Sequence, residues 1–203
     1  MTTTNTTPDI LPIPSGDFKA YLFDLDGTVA DSMPLHYRAW EQAIAEAGGT
    51  FPEDVFYELG GVPIVRVVEI LNERYGYHMP PAETAHKKEE LYLTLIHEVQ
   101  PIASVVAHIT AMHGKIPLAI VSGSPRASIE STLKTLHLTG CFDLLVGAED
   151  YTHGKPNPEP FLTAAERLKV DPKDCLVFED ANAGIESAKA AGMQWVHVPR
   201  TKL

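Results

Sequence analysis

From residue 101 onwards, apolar runs of strand length alternate with stretches of helical spacing, and this alternation constrains the fold most strongly. Four such runs predict strands, at residues 116–121, 142–146, 175–178 and 195–198. Each of these strands follows a predicted helix, near residues 104–112, 125–136, 158–168 and 182–190. Because strands that alternate with helices are typical of parallel sheets, the sequence predicts an α/β fold with a Rossmann-like parallel sheet.

Residues 31–100 have a different pattern, with helical spacing and no intervening strands. Helices are predicted near residues 31–47, 52–59, 64–75 and 81–99. A further apolar strand at residues 21–23 precedes this segment. We therefore predict an α/β core domain of residues 18–30 and 101–203, interrupted by an all-helical domain of residues 31–100. Residues 1–17 are rich in Thr and Pro, and we interpret them as a flexible tail.

Composition excludes several classes of protein. The net charge of −11 argues against non-specific binding of nucleic acid. No run of about 18 apolar residues is present, so no membrane-spanning helix is expected. The first 16 residues lack the basic start and apolar centre of a signal peptide, which makes the cytoplasm the expected location. Cys141 and Cys175 are expected to be free thiols.

Two aspartates directly follow the apolar run at residues 21–23. Strand side chains alternate, so Asp24 and Asp26 would point the same way if the strand continued, and Gly27 lets the chain turn at once. Ligands bind at this end of the strands in open α/β sheets. Two neighbouring carboxylates repel each other, which costs free energy unless a cation or a function compensates. The alternative interpretation is a turn with two solvated aspartates.

Three other polar segments lie near the ends of predicted strands. The hydroxyl and N–H groups of residues 122–124, Ser-Gly-Ser, can hold a phosphate oxygen, although the same residues are common in turns. Lys155 lies in a rigid Pro-rich segment, with a solvated lysine as the alternative. Glu179 and Asp180 offer the oxygen ligands that suit Mg²⁺, although Asp180 also fits a helix cap.

Taken in this order, the four segments resemble the motifs of the haloacid dehalogenase superfamily of phosphohydrolases. The insertion point of the helical domain, directly after the first motif, resembles that of the small helical cap of this family. The stretch at residues 31–40 resembles the β-phosphoglucomutase-like subgroup, which includes sugar-phosphate phosphatases such as fructose-1-phosphatase.

The resemblance implies a phosphatase that depends on Mg²⁺. Asp24 would be the nucleophile and form an aspartyl-phosphate. Asp26 would be the general acid for the leaving alkoxide and then the general base for the attacking water. Mg²⁺ would be bound by Asp24, the backbone carbonyl of Asp26 and Asp180. Glu179 would bind the ion directly or through water.

The resemblance also implies which residues contact the substrate. Ser122, the backbone of Gly123 and Lys155 would hold the phosphoryl oxygens. His36, in the first cap helix, is a further candidate, with a packed or surface histidine as the alternative. Arg66, near the start of the third cap helix, could reach across the cleft to a sugar or a phosphate, and a surface arginine is an equal alternative.

The residues after Gly61 bear on the type of reaction. β-Phosphoglucomutases carry a cap arginine three residues after the matching glycine, which holds the second phosphate of a bisphosphate intermediate, and this position is Ile64 here. The pattern Gly-x-Pro-x-x-Arg resembles fructose-1-phosphatase-like members instead. We therefore expect a monomeric phosphomonoester hydrolase acting on a small sugar phosphate, with a β-phosphoglucomutase as the alternative. A non-catalytic phosphate-binding module is disfavoured, because both aspartates of the first motif are present.

Overall fold

The computed structural model describes residues 10–60 and 62–199. Within them, the seven strands are β1 Ala20–Phe23, β2 Ala30–Asp31, β3 Gln100–Pro101, β4 Leu118–Val121, β5 Leu144–Val146, β6 Cys175–Glu179 and β7 Gln194–His197. The eight α-helices of this part are α1 Met33–Glu46, α2 Glu53–Glu58, α3 Ile64–Tyr75, α4 Pro81–Leu95, α5 Ala103–Met112, α6 Arg126–Thr135, α7 Glu159–Leu168 and α8 Asn182–Ala190. Residues 1–9, Gly61 and residues 200–203 lie outside the described part.

Five strands form the main sheet, in the order β5–β4–β1–β6–β7, and every neighbouring pair is parallel. All four residues of the central strand β1 are buried. Its side chains alternate between the two faces. Tyr21 and Phe23 join a cluster shared with α5 and α6, whereas Ala20 and Leu22 join a second cluster shared with α7 and α8. The predicted α/β class with a Rossmann-like sheet is confirmed.

Helices α1–α4 form an insert between β1 and the rest of the sheet. Helices α1–α3 share a third apolar cluster that contains Trp40, Ile44, Phe56 and Val68, whereas Tyr92 of α4 belongs to the cluster of Phe23. The short strands β2 and β3 pair antiparallel where the chain leaves and rejoins the sheet domain. This ribbon was not predicted, because two residues are too few to show an alternating pattern. The domain limits 18–30 with 101–203, and 31–100, stay predictions.

Several predicted elements differ from the structure at their boundaries, as two examples show. The helix expected at 81–99 stops at Leu95 and continues as a 3₁₀ turn, Ile96–Glu98. The strand expected from residue 116 begins at Leu118, directly after Pro117. Proline has no N–H to donate to a sheet ladder, so a strand that begins just after it is the physical expectation.

Residues 10–17 contain neither helix nor strand, yet part of this segment touches the core. Leu11 packs against the cluster that includes Phe23, and His108 Nε2 of α5 lies 2.8 Å from the Leu11 carbonyl oxygen. Phe18 is buried. The predicted tail of residues 1–17 therefore includes a packed part, and its residues 1–9 lie outside the described part. No helix of the described residues is long and apolar enough to cross a membrane.

Candidate active site

The carboxyl ends of β1, β4 and β6 lie side by side, because these strands are parallel neighbours in the sheet. Asp24 follows β1, Ser122 follows β4, and Asp180 follows β6. The N–H of Asp24 donates to the Phe178 carbonyl of β6 at 3.0 Å, which ties the start of the β1 loop to the sheet. These loops line a cavity of about 390 Å³ between the sheet edge and the cap helices.

Three buried carboxylates meet at this edge, and two of them contact one ammonium group. Asp24, Glu179 and Asp180 each offer an oxygen within 4.8 Å of the others, a spacing that suits a single metal ion. Lys155 Nζ donates to Asp24 Oδ1 at 2.7 Å, to Glu179 Oε1 at 2.8 Å and to the Val121 carbonyl at 3.0 Å. The structure thus brings these predicted residues together.

Crowding shifts the pKa values of this cluster. Burial raises the pKa of Asp24 above its ordinary value; Lys155 opposes this effect, and Glu179 and Asp180 add to it. Burial alone would lower the pKa of Lys155, but the carboxylates of Asp24 and Glu179 raise it above its ordinary value. Lys155 is therefore a fixed positive charge. The remaining excess of negative charge is what a divalent cation would compensate.

Glycines allow the carboxylates to lie this close to the backbone. A Cβ at Gly184 would lie 1.7 Å from Glu179 Oε1, so a side chain on α8 would displace this carboxylate. Gly27 has a φ of +89°, which favours glycine, and a Cβ there would lie 2.8 Å from the Asp180 carboxylate. Both glycines are needed for the observed geometry of the acidic cluster.

Asp26 lies apart from the acidic cluster, in a separate set of hydrogen bonds. Ser32 Oγ donates to its Oδ1 at 2.7 Å, His36 Nε2 lies 3.0 Å from the same oxygen, and Ser124 Oγ donates to Oδ2 at 2.8 Å. Burial alone would raise the pKa of Asp26, but His36 and the hydroxyls of Ser32 and Ser124 lower it below its ordinary value. Asp26 is therefore ionised at neutral pH, with hydrogen-bond donors on both of its oxygens.

The His36 ring is held between Asp26 and the cap. It stacks on Tyr92 of α4, with ring centroids 3.9 Å apart and an interplanar angle of 14°. Burial lowers the pKa of His36, nearby Lys88 lowers it further, and Asp26 raises it in part, so it stays below its ordinary value. The imidazole is therefore neutral at neutral pH, and its Nε2–H donates to the Asp26 carboxylate.

The loop after β4 lies against the same cavity. Ser122 Oγ accepts a hydrogen bond from the N–H of Ser124 at 3.0 Å, and the Tyr151 hydroxyl donates to the Ser122 carbonyl at 3.1 Å. Ser122 and Gly123 both line the cavity. A tight loop of this kind presents hydroxyl and N–H groups to an anion placed beside Asp24.

Arg66 is not among the residues that line the cavity, and its contact with a substrate stays a prediction. Its guanidinium lies on the outer side of α3 and donates to Glu73 at 2.9 Å and to Glu69 at 3.0 Å. These glutamates lie on the same face of the helix, three and seven residues further on, and hold the arginine at the surface.

The cavity contains residues that the sequence did not single out. Ser32 and Ser124 lay within motifs that were recognised, but their hydroxyls were not assigned a role. Lys88 and Glu89 of α4 also line the cavity. Lys88 lies three positions before Leu91, which packs against the core cluster of Phe23, so a charged residue on the buried face of the helix was the signal available.

A family model described as haloacid dehalogenase-like hydrolase matches residues 18–192. The chain belongs to this family. The membership of this family expected from the resemblance is thereby confirmed.

Three relatives show the breadth of haloacid dehalogenase-like hydrolases to which the chain is similar. It is 35% identical to a fructose-1-phosphate phosphatase of Escherichia coli (strain K12), over 89% of this chain and 96% of the relative. It is 31% identical to a β-phosphoglucomutase of Bacillus subtilis (strain 168), over 86% of this chain and 80% of the relative. A solved β-phosphoglucomutase structure from Clostridium difficile superimposes with a TM-score of 0.79 at 27% identity, over 89% of this chain and 84% of that one. The expected assignment to the phosphatases of the family, in its β-phosphoglucomutase-like subgroup, is confirmed.

Proposed function

We propose that this protein hydrolyses the phosphomonoester of a small sugar phosphate, with Mg²⁺ as cofactor and Asp24 as nucleophile. The observation that best supports this function is the pairing of a buried acid, Asp24, with a half-buried acid, Asp26, in different surroundings. Asp24 lies beside Lys155 in the acidic cluster, whereas Asp26 has its own hydrogen-bond donors. One carboxylate is suited to attack phosphorus, and the other is suited to move protons.

The residues present fit a magnesium ion. Asp24, Asp180 and the backbone carbonyl of Asp26 would hold it, and the ion would neutralise charge as an anionic carboxylate approaches an anionic phosphate. Both oxygens of Glu179 are already engaged, Oε1 by Lys155 and Oε2 by the N–H of Ala181 at 2.8 Å. Glu179 would therefore act through a bound water while it holds Lys155 in place.

Asp24 would attack the phosphorus in line and form an aspartyl-phosphate, while the bond from phosphorus to the leaving alkoxide breaks. Lys155, Ser122 and the Gly123 N–H would hold the phosphoryl oxygens as charge moves onto them. Asp26, ionised in the free protein, would take up a proton as the anionic substrate binds and give it to the alkoxide. In the second step Asp26 would take a proton from the water that attacks phosphorus, while the bond from phosphorus to Asp24 breaks, and it would lose this proton once phosphate leaves. His36 would position Asp26 through the 3.0 Å contact.

Hydrolysis is favoured over isomerisation by the composition of the cavity lining. Ile64, at the position of the mutase arginine, faces the cavity, and within residues 10–60 and 62–199 the lining contains two lysines and no arginine. A mutase must hold a second phosphate while the intermediate turns over. The chain is nevertheless 31% identical to a β-phosphoglucomutase, which keeps the mutase as the second candidate function.

The first experiment measures phosphate release with Mg²⁺ from a panel of sugar phosphates that includes fructose 1-phosphate and β-glucose 1-phosphate. Release from hexose or pentose phosphates, lost in Asp24→Asn and after removal of Mg²⁺ by EDTA, is the expected result. Formation of glucose 6-phosphate without phosphate release, when a bisphosphate primer is added, would establish the mutase instead. Size-exclusion chromatography tests the prediction that the protein is a monomer. The cytoplasmic location stays a prediction.

A further inference from the structure

The cap side of the cavity combines an apolar surface with one ion pair. Six of the residues that line this side are apolar: Met33, Phe51, Phe56, Leu59, Val62 and Ile64. Lys88 and Glu89 of α4 line the same cavity, and Lys88 Nζ lies 2.6 Å from Glu89 Oε1. Neighbouring residues on a helix do not normally face each other, so these two side chains must bend towards one another at the cavity.

Lys88 is held as a buried cation. Its side chain is 4% exposed, and its ammonium group lies 5.6 Å from the Trp40 ring centroid and 5.4 Å from that of Tyr92. Aromatic rings on two sides attract a cation through their π faces. The carboxylate of Glu89, itself 19% exposed, compensates this charge from within the cap.

Other basic groups near the cavity are compensated in the same way. Arg126, directly after the cavity residue Pro125, donates to Asp150 at 2.7 Å. Arg66 is paired with Glu73 on the outer side of α3. A substrate that enters with a second anionic group therefore meets an apolar surface and an ion pair that is already satisfied, and this group would lose its hydration without a compensating cation.

We propose that Glu89 is a specificity-determining residue, which neutralises Lys88 and so restricts the cavity to substrates with one phosphate and an otherwise uncharged leaving group. This inference rests on the proposed phosphatase function and goes beyond it, because it assigns the rejection of bisphosphates and phosphorylated acids to one side chain. Removal of the carboxylate, with Lys88 retained, turns a satisfied ion pair into an open anion site.

The test compares kcat/KM for fructose 1-phosphate and fructose 1,6-bisphosphate in the wild-type protein, Glu89→Gln, and the double variant Lys88→Met/Glu89→Gln. Gln keeps the size of the side chain and an oxygen that can accept from Lys88. The wild type is expected to prefer the monophosphate. In Glu89→Gln the ratio of bisphosphate to monophosphate kcat/KM should rise by at least about tenfold, and the rise should vanish in the double variant.

Glu90→Gln is the matched control, because this substitution removes the same charge from the same helix. Glu90 is exposed and contacts His86. An unchanged ratio in Glu89→Gln overturns the proposal, as does an equal rise in Glu90→Gln or in the double variant. Calorimetric binding of both sugar phosphates to Asp24→Asn, with and without Glu89→Gln, measures the same selectivity without turnover. Absence of all wild-type hydrolysis, with the binding shift present, would refute the phosphatase function and leave the role of Glu89 intact.

Discussion

Replacement of Lys155 by Met tests how strongly repulsion within the acidic cluster lowers the free energy of unfolding. Met keeps an unbranched stem beside the Phe161 ring, from which the ammonium group lies 4.9 Å. It removes the ammonium that lies 2.7 Å from Asp24 and 2.8 Å from Glu179. At an effective dielectric constant of about 20, each of these contacts corresponds to roughly 6 kcal/mol of Coulomb energy, which the cost of burying the charges largely offsets.

Loss of one partner leaves the other charges buried and uncompensated, which typically costs about 3–5 kcal/mol. We expect the free energy of unfolding of Lys155→Met to fall by about this amount in EDTA at pH 7. The loss should grow as pH rises. Without Lys155, the folded carboxyls have pKa values above those of the unfolded chain, so unfolding releases protons and is favoured by high pH.

Urea denaturation followed by circular dichroism, with EDTA and with excess Mg²⁺, measures this effect. A divalent cation should replace part of the lost compensation, so the difference from wild type should shrink with Mg²⁺. The control is Lys189→Met, which removes an exposed ammonium paired with Glu186 and placed over the Trp195 ring. A loss below about 1 kcal/mol in EDTA, or one that Mg²⁺ does not change, would refute this account of the cluster.

Three further substitutions test other parts of the structure. Gly184→Ala should lower kcat/KM by about 100-fold, because the added methyl group displaces the Glu179 carboxylate. Far-UV circular dichroism checks that the variant folds. A wild-type kcat/KM would contradict the close contact between Gly184 and Glu179. Burial alone would raise the pKa of Asp150, but the Gly147 N–H, Arg167 and Arg126 lower it below its ordinary value. The free energy of unfolding of Asp150→Asn should therefore be lower than that of the wild type by about 1–2 kcal/mol at pH 7. This difference should decrease as pH falls through the range where the unfolded carboxyl takes up its proton, and urea titrations at pH 7 and pH 3.5 measure it. Arg66→Ala should keep kcat/KM within about twofold and stability within about 1 kcal/mol, and a larger loss of activity would return Arg66 to the substrate site.

The grouping of Asp24, Lys155 and Asp180 could be predicted from the sequence. Parallel strands end at the same edge of a sheet, so side chains that follow separate strands are brought together whatever the details of the loops. The direction of Asp26 could not be obtained in this way. The prediction that it points with Asp24 assumed a continuing strand, whereas β1 ends at Phe23 and Asp26 turns towards Ser32, outside the reach of the alternation rule.

The cap was harder to predict than the sheet, for a physical reason. Helical spacing shows which face of a helix is buried, but it does not show which buried residues face the cleft. Arg66 and Lys88 illustrate this difficulty. For Arg66, the cleft and the surface were equal alternatives, and its guanidinium pairs with Glu73 of the same helix at the surface. Lys88 was not singled out, and it lies in the cavity wall near Trp40 of α1.

The central position of β1 has a consequence for biosynthesis. Tyr21 pairs in register with Leu118 on one side and with Leu176 on the other. The first strand of the described residues can therefore pair only after segments much later in the chain have been synthesised. Long-range pairings of this kind close large loops and are slow to form. Asp24, at the end of that strand, acquires its neighbours Lys155 and Asp180 only when most of the chain has been made. A nascent chain that stalls before β6 therefore has no assembled site, and the apolar strand β1 is left as a segment for chaperones to shield.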